Sequence, residues 1–266
     1  LYFAAALEKK CSPSTSSGRT VLMALVLATD DTGGPEIFAS LQGEGPSAGM
    51  PVAFVRLSRC NLACVWCDTA YTWRFEGDNR PHRSDEIHER KANQIVLDEA
   101  EVADRIRALG QDRLVITGGE PLLQGAALAR LLALMPDMAV EIETNGTVAP
   151  PTALDVRVDQ YNVSPKLAHS GNDAALALVP ERMDAWATDA RAFLKFVIAQ
   201  PADVDEVLAL QARYRFPSAQ TYLMAEGTDS ATLRAREQWL SGLCLEHGFR
   251  LSDRLHIHLY GDTRGT

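Results

Sequence analysis

Short apolar runs alternate with stretches of helical periodicity along most of the chain. The runs are 36–42 (EIFASLQ), 51–58 (PVAFVRLS), 113–117 (RLVIT), 139–144 (AVEIET), 160–164 (QYNVS), 193–198 (FLKFVI), 220–224 (QTYLM) and 255–260 (LHIHLY). Several are almost continuously apolar, the pattern of parallel strands covered on both faces. Between them, apolar side chains recur every three or four positions. Examples are Val102, Ile106 and Leu109; Leu128, Leu131, Leu132 and Met135; Val204, Val207 and Leu208; and Trp239, Leu240, Leu243 and Cys244. That spacing gathers them on one face of a helix. Alternating strands and helices predict right-handed parallel βαβ units. Two stretches break the rhythm. Residues 71–93 are polar and charged with little periodicity, which predicts an inserted excursion of the kind that forms a lid. Residues 173–190 predict a helix on an irregular connection.

The residues capable of chemistry follow the strands. Cys60 comes after the 51–58 run, TGGEP (117–121) after RLVI, ETNGT (143–147) at the end of the next run, then SPK (164–166) and AEGTD (225–229). Side chains at the carboxyl ends of successive parallel strands converge on one mouth.

Composition narrows the picture. The chain has 266 residues, 46% hydrophobic and 23% charged, which is ordinary for a globular protein. A formal net charge of −9 argues against gripping nucleic acid, which needs a basic surface. The apolar segment 21–28 is shorter than the roughly 18 residues of a membrane span and runs straight into Asp30 and Asp31. Residues 1–22, Ala-rich then Ser-rich, read as a tag or leader, with Met23 as the natural start and 23–266 as one domain. A secretory signal is the rival reading, since Lys9 and Lys10 precede an apolar run, but an A-x-A-like exit is missing.

Three of the five cysteines fall within eight residues: Cys60, Cys64 and Cys67, spaced C-x3-C-x2-C. Neighbours this close make a poor disulfide framework. They predict a reducing, cytoplasmic setting and three thiolates aimed at one centre. A four-iron cluster usually takes four such ligands, so three would leave one iron open to a small molecule. A structural zinc completed by His82 or His88 is the alternative. Cys11 and Cys244 fall in the leader and on a helix face.

The arrangement C-x3-C-x-aromatic-C, with Trp66 in the aromatic slot, resembles the radical S-adenosylmethionine enzymes, and TGGEP resembles their second motif. The stretch EIFASLQGEGPSAGMPVAFVRLSRCNLACVWCDT, with EIETNGT, VSPK, LKFVI and LHIHLYGDTRG, is similar more narrowly to the 7-carboxy-7-deazaguanine synthase family. That resemblance implies an α/β fold, an incomplete, distorted (β/α) barrel working as a homodimer. It implies a 4Fe-4S cluster, S-adenosylmethionine and Mg2+, with an electron donor such as flavodoxin. The implied substrate is 6-carboxy-5,6,7,8-tetrahydropterin, converted to 7-carboxy-7-deazaguanine with loss of ammonia, with no role for nucleic acid or membrane.

Roles follow position by position. The resemblance implies Cys60, Cys64 and Cys67 as cluster ligands and Thr69 as the Mg2+ ligand. It implies Trp66, Cys67, Asp68, Gly119, Ser164, Pro165 and Lys166 at the cofactor. Glu120 offers a carboxylate to the cofactor's ammonium. Ala225, Glu226, Gly227 and Thr228 occupy another cofactor-lining segment with different letters. Leu41, Gln42, Gly43, Arg56, Thr117, His256 and the terminal Thr266 are implied at the substrate.

Plainer readings stand beside these. Arg56, on an apolar strand, could pair with Glu44 or Glu141. Gln42 and Glu44 could be a solvated turn, Thr69 a cap and Lys166 a surface residue. His256 and His258 would share a strand face, with His256 a satisfied core histidine. Asn145 with Gly146 also makes a good turn. Competing functions are a glycyl-radical activase, which shares the cysteine loop and GGEP, and a zinc-stabilised binding module.

Overall fold

The structure, a computed structural model, describes residues 24–266; the expected leader and Cys11 lie outside them. Among the described residues ten strands form one sheet: β1 (Leu25–Ala28), β2 (Ile37–Leu41), β3 (Pro51–Leu57), β4 (Gln94–Leu97), β5 (Arg113–Gly118), β6 (Ala139–Thr144), β7 (Gln160–Val163), β8 (Ala192–Ile198), β9 (Thr221–Ala225) and β10 (Arg250–Ser252). The helices are α1 (Arg90–Asn93), α2 (Glu99–Ala108), α3 (Gly125–Leu134), α4 (Thr152–Asp155), α5 (Ala174–Ala177), α6 (Pro180–Thr188), α7 (Ala202–Tyr214), α8 (Ser230–His247) and α9 (Leu255–Tyr260).

The strand order is β10-β9-β8-β7-β6-β5-β3-β1-β4, with β2 also on β3. From β3 through β5 to β10 every pairing is parallel. The sheet does not close, since β4 and β10 are its ends, so the barrel is incomplete, as expected. The parallel expectation fails at one end. β1 and β2 run antiparallel to β3, and β4 antiparallel to β1.

The helices cover the sheet with the faces that the spacing marked. Val102, Ala103 and Ile106 of α2 and Leu128, Leu131 and Leu132 of α3 are buried in one core with β1, β3, β5 and β6. Val204 and Val207 of α7 and Leu233 and Leu240 of α8 bury against β8 and β9 in a second. Asp98 caps α2 by accepting from the Glu101 N–H at 2.8 Å, and Asp229 caps α8 through Thr232 N–H at 2.9 Å.

Two expectations need correction. The run 255–260 is the helix α9, not a strand. Its alternation does not sort inside from outside, for Ile257 is buried while Leu259 and Tyr260 are about half exposed. His256 and His258, two apart on a helix, therefore do not share a face. The last strand is β10, three residues long with Leu251 exposed and Ser252 buried, which leaves no apolar pattern to read. The 173–190 stretch is two helices, α5 and α6, broken before Pro180.

Candidate active site

Strand β3 delivers the chain into the cysteine loop. Its exit is fixed by close backbone contacts with the end of β5. The Gly119 N–H donates to Leu57 O at 3.0 Å and the Glu120 N–H to Arg59 O at 2.8 Å. A Cβ on Gly118 would fall 2.0 Å from Leu57 O, and one on Gly119 2.1 Å from Arg59 O. The two glycines are thus required by packing: what approaches them is the backbone leading to Cys60. Gly118 also has φ +139°, which disfavours a side chain.

Cys60, Cys64 and Cys67 all line a cavity of about 580 Å³ at the carboxyl ends of the strands. Each sulfur has an N–H donor. Trp73 Nε1 donates to Cys67 Sγ at 3.3 Å, Asn172 Nδ2 to Cys64 Sγ at 3.3 Å and Asn145 Nδ2 to Cys60 Sγ at 3.9 Å. The Thr69 hydroxyl lies 3.6 Å from Cys67 Sγ. Burial pushes the Cys60 thiol up to about 12 and raises Cys64 and Cys67 as well. Thiolates here require a cation to hold them.

The donor set fits an iron–sulfur cluster better than one zinc ion. A zinc ion about 2.3 Å from each sulfur draws its ligands close together. The three sulfurs do not all lie within 4.8 Å of one another; among the described residues Glu237, Asp253 and His258 are the group that meets that limit. Neither histidine is presented as a fourth ligand. His82 Nε2 is bonded to Cys67 O at 2.9 Å, and the His88 ring meets Tyr71 edge-on, beside Glu86.

Residues 71–93 form a strap rather than a free lid. Tyr71, Trp73 and Phe75 are buried anchors, Arg83 N–H donates to Val65 O at 2.7 Å, and the Arg83 side chain pairs with Glu226 at 2.6 Å.

Of the expected cofactor residues, Trp66, Cys67, Asp68, Gly119, Ser164, Lys166 and Thr228 line the cavity. Lys166 Nζ bonds Ser164 Oγ at 2.7 Å and lies 5.7 Å from the Trp66 ring centre, so it is no free surface lysine. The Trp66 indole N–H is buried with no acceptor among the described residues, a donor left for a ligand. Ala225, Glu226 and Gly227 line a small adjoining cavity with Trp66 and Asp68; Glu226 is already paired with Arg83 and Arg236. Pro165 is buried beneath the site and absent from its walls.

Glu120, expected at the cofactor, is not among the residues that line the cavity. It is fully buried and accepts from the N–H groups of Leu122 at 3.0 Å and Asn145 at 2.7 Å and from the Thr144 hydroxyl at 2.8 Å. Its role is to tie the TGGEP turn to the end of β6, where Asn145 meets Cys60.

Leu41, Gln42, Gly43, Arg56, Thr117, His256 and Thr266, the expected substrate residues, line the same cavity. Arg56 pairs with neither Glu44 nor Glu141. Its Nε donates to Glu36 at 2.7 Å, and its Nη groups have no acceptor among the described residues. Gln42 is 2% exposed, and its amide is committed to Glu141 at 2.6 Å, Glu143 at 3.2 Å and the Glu44 N–H. The Thr117 hydroxyl donates to Glu143 at 2.9 Å. Gln42 and Thr117 therefore aim the Glu143 carboxylate. Gly43 lies so close to His256 that a Cβ would come 2.1 Å from Nδ1, and Leu255 N–H donates to Gly43 O at 2.9 Å.

A buried chain of ion pairs lies beyond what the sequence pattern shows. Lys195 pairs with Glu44, Glu44 with Arg254 at 3.1 Å, and Arg254 with Asp68. Burial opposes ionisation of Glu44, but Lys195 and Arg254 outweigh it and hold the carboxyl well below the usual range. Lys195 could have been found as the one charge inside FLKFVI. Arg254 carries no such signal.

The Radical SAM superfamily profile matches residues 55–168. The chain is 35% identical over 235 residues to a 7-carboxy-7-deazaguanine synthase from Pyrobaculum aerophilum, covering 86% of this chain and 95% of the relative. It is 36% identical over 255 residues to one from Halobacterium salinarum, covering 87% and 91%. A crystal structure of QueE from Escherichia coli superposes with a TM-score of 0.60 at 24% identity, over 88% of this chain and 95% of that one; it bears on the fold.

Proposed function

This chain belongs to the 7-carboxy-7-deazaguanine synthase family of the radical SAM superfamily, and from that premise we propose how its own residues serve the reaction. The enzyme is a radical SAM lyase that converts 6-carboxy-5,6,7,8-tetrahydropterin to 7-carboxy-7-deazaguanine with loss of ammonia. When bound, the cluster and S-adenosylmethionine supply a 5′-deoxyadenosyl radical. The observation that carries the assignment of roles is one cavity holding both the three thiols and an arginine with unused donors.

Cys60, Cys64 and Cys67 hold the cluster. Trp66, Lys166 and the adjoining small cavity receive S-adenosylmethionine. Arg56 turns its Nη groups to the substrate carboxylate, since a guanidinium fork matches that shape. Thr69, between Cys67 and the substrate side, would ligate Mg2+ together with substrate oxygens. Glu143, aimed by Gln42 and Thr117, meets a ring N–H, and His256 closes the wall. What these residues would contribute is a substrate held in one pose, with one C–H bond presented to the cofactor side of the cavity.

The homodimer and a flavodoxin-type donor belong to the same reading and rest on the resemblance, while a cytoplasmic setting rests on the clustered thiols. Among the described residues no helix is long and apolar enough to cross a membrane.

Anaerobic reconstitution followed by reductant, S-adenosylmethionine and the carboxylated pterin tests the proposal. About four irons per chain are expected, lost in Cys60→Ala, Cys64→Ala or Cys67→Ala and kept in Cys244→Ala. Thr69→Ala should keep the iron and lose the Mg2+ response. Zinc without iron would overturn the ligand roles.

A further inference from the structure

Trp73, Asn172 and Asn145 come from three different parts of the chain, yet each directs an N–H at one cysteine sulfur. Trp73 lies in the strap, Asn145 just after β6 and Asn172 in the loop after β7. We infer that these side chains set the reduction potential of the cluster held by the thiols, with Trp73 the strongest of the three. The inference rests on the cluster reading above.

A neutral thiol is a weak acceptor, whereas a thiolate is a good one. Trp73 is 5% exposed, and among the described residues the Cys67 sulfur is the one acceptor its indole N–H meets. Burying that donor against a neutral thiol would satisfy it poorly. Against a sulfur carrying negative charge the contact is favourable, and it strengthens when an electron is added to the centre the sulfur ligates. Donors to the sulfurs therefore favour the reduced form. The three contacts are unequal. Cys67 has Trp73 at 3.3 Å and the Thr69 hydroxyl at 3.6 Å, Cys64 has Asn172 at 3.3 Å, and Cys60 has Asn145 at 3.9 Å.

Asn172 has a second task. Its Oδ1 accepts from the Ala63 N–H at 2.8 Å and so pins the cysteine loop. Asn172→Asp keeps that acceptor and removes the donor to Cys64. Trp73→Phe keeps the ring and removes the donor to Cys67. Trp66→Phe loses an indole N–H that meets no acceptor among the described residues, and no sulfur, and serves as the control for the potential.

The test is a redox titration of the reconstituted full chain without S-adenosylmethionine, followed by electron paramagnetic resonance, with iron counted in every sample. At a fixed solution potential, Trp73→Phe should lower the reduced-to-oxidised ratio about tenfold, or about 59 mV for one electron. Asn172→Asp should shift in the same direction and Trp66→Phe should not shift. If Trp73→Phe takes up no iron, Asn172→Leu, which removes the donor to Cys64 without the charge that Asn172→Asp adds, carries the measurement and should shift the same way. Iron-replete variants that titrate within twofold of wild type would overturn the inference. A wild type that takes up zinc and no iron shows up in the metal count before any titration, and it removes the cluster reading with the inference.

Discussion

Arg56 lies on a strand whose neighbours Val52, Ala53, Phe54 and Val55 are buried, and that isolation made it legible in the sequence. Its partner Glu36 was not, because twenty residues of chain separate them and only the β2–β3 pairing brings them together. Glu36 stays half satisfied without Arg56, since the Tyr71 hydroxyl also donates to it at 2.9 Å. Arg56→Lys should keep the ion pair and lose the fork. A charge-assisted hydrogen bond contributes about 1.5–3 kcal/mol, so kcat/KM for the carboxylated pterin should fall about ten- to a hundredfold. A pterin without the carboxylate should be poor for wild type, and the variant should discriminate far less. Equal turnover of both pterins by wild type would remove Arg56 from this role. The cysteines were legible because their spacing is local. The donors to their sulfurs were not, because Asn172 lies more than a hundred residues from Cys64.

Elements built from long apolar runs were legible, and those stabilised by ion pairs were not. The helix α9 is held by Arg254, just before its first turn, through Glu44 and Asp68, and Glu44 is bound in turn to Lys195 of β8. This network fastens the 41–45 loop to both. Because the folded state holds the Glu44 carboxyl below its ordinary 4.5, the network's contribution is complete above that pH. It shrinks as the pH falls below 4.5 and vanishes toward the lower folded-state value. Glu44→Gln leaves two buried cations short of a partner, so it should lower Tm at pH 7. The gap from wild type should narrow steadily as melting is repeated at more acid pH. A gap independent of pH would mean that Glu44 acts by packing alone.

For the whole molecule, the alternation of runs disclosed an open, largely parallel sheet with its chemistry at one mouth. It did not disclose the antiparallel end, because β1 and β4 have four residues each and Val96 of β4 faces solvent. The mouth has two walls of different chain span. The thiol wall is tied by Ala63 N–H to Asn172 Oδ1 and Val65 N–H to Ser170 O. The wall proposed for the pterin is complete only when Leu255 N–H reaches Gly43 O. Bringing together ends farther apart costs more chain entropy. The two walls should therefore gain protection at different times during refolding. Pulse-labelled hydrogen exchange should find the Ala63 and Val65 amides guarded before that of Leu255, and simultaneous protection would make the mouth one cooperative unit. On this ordering a newly made chain owns a place for iron before it owns a place for the pterin. The metal could be loaded into a half-built enzyme that is still incapable of turning over.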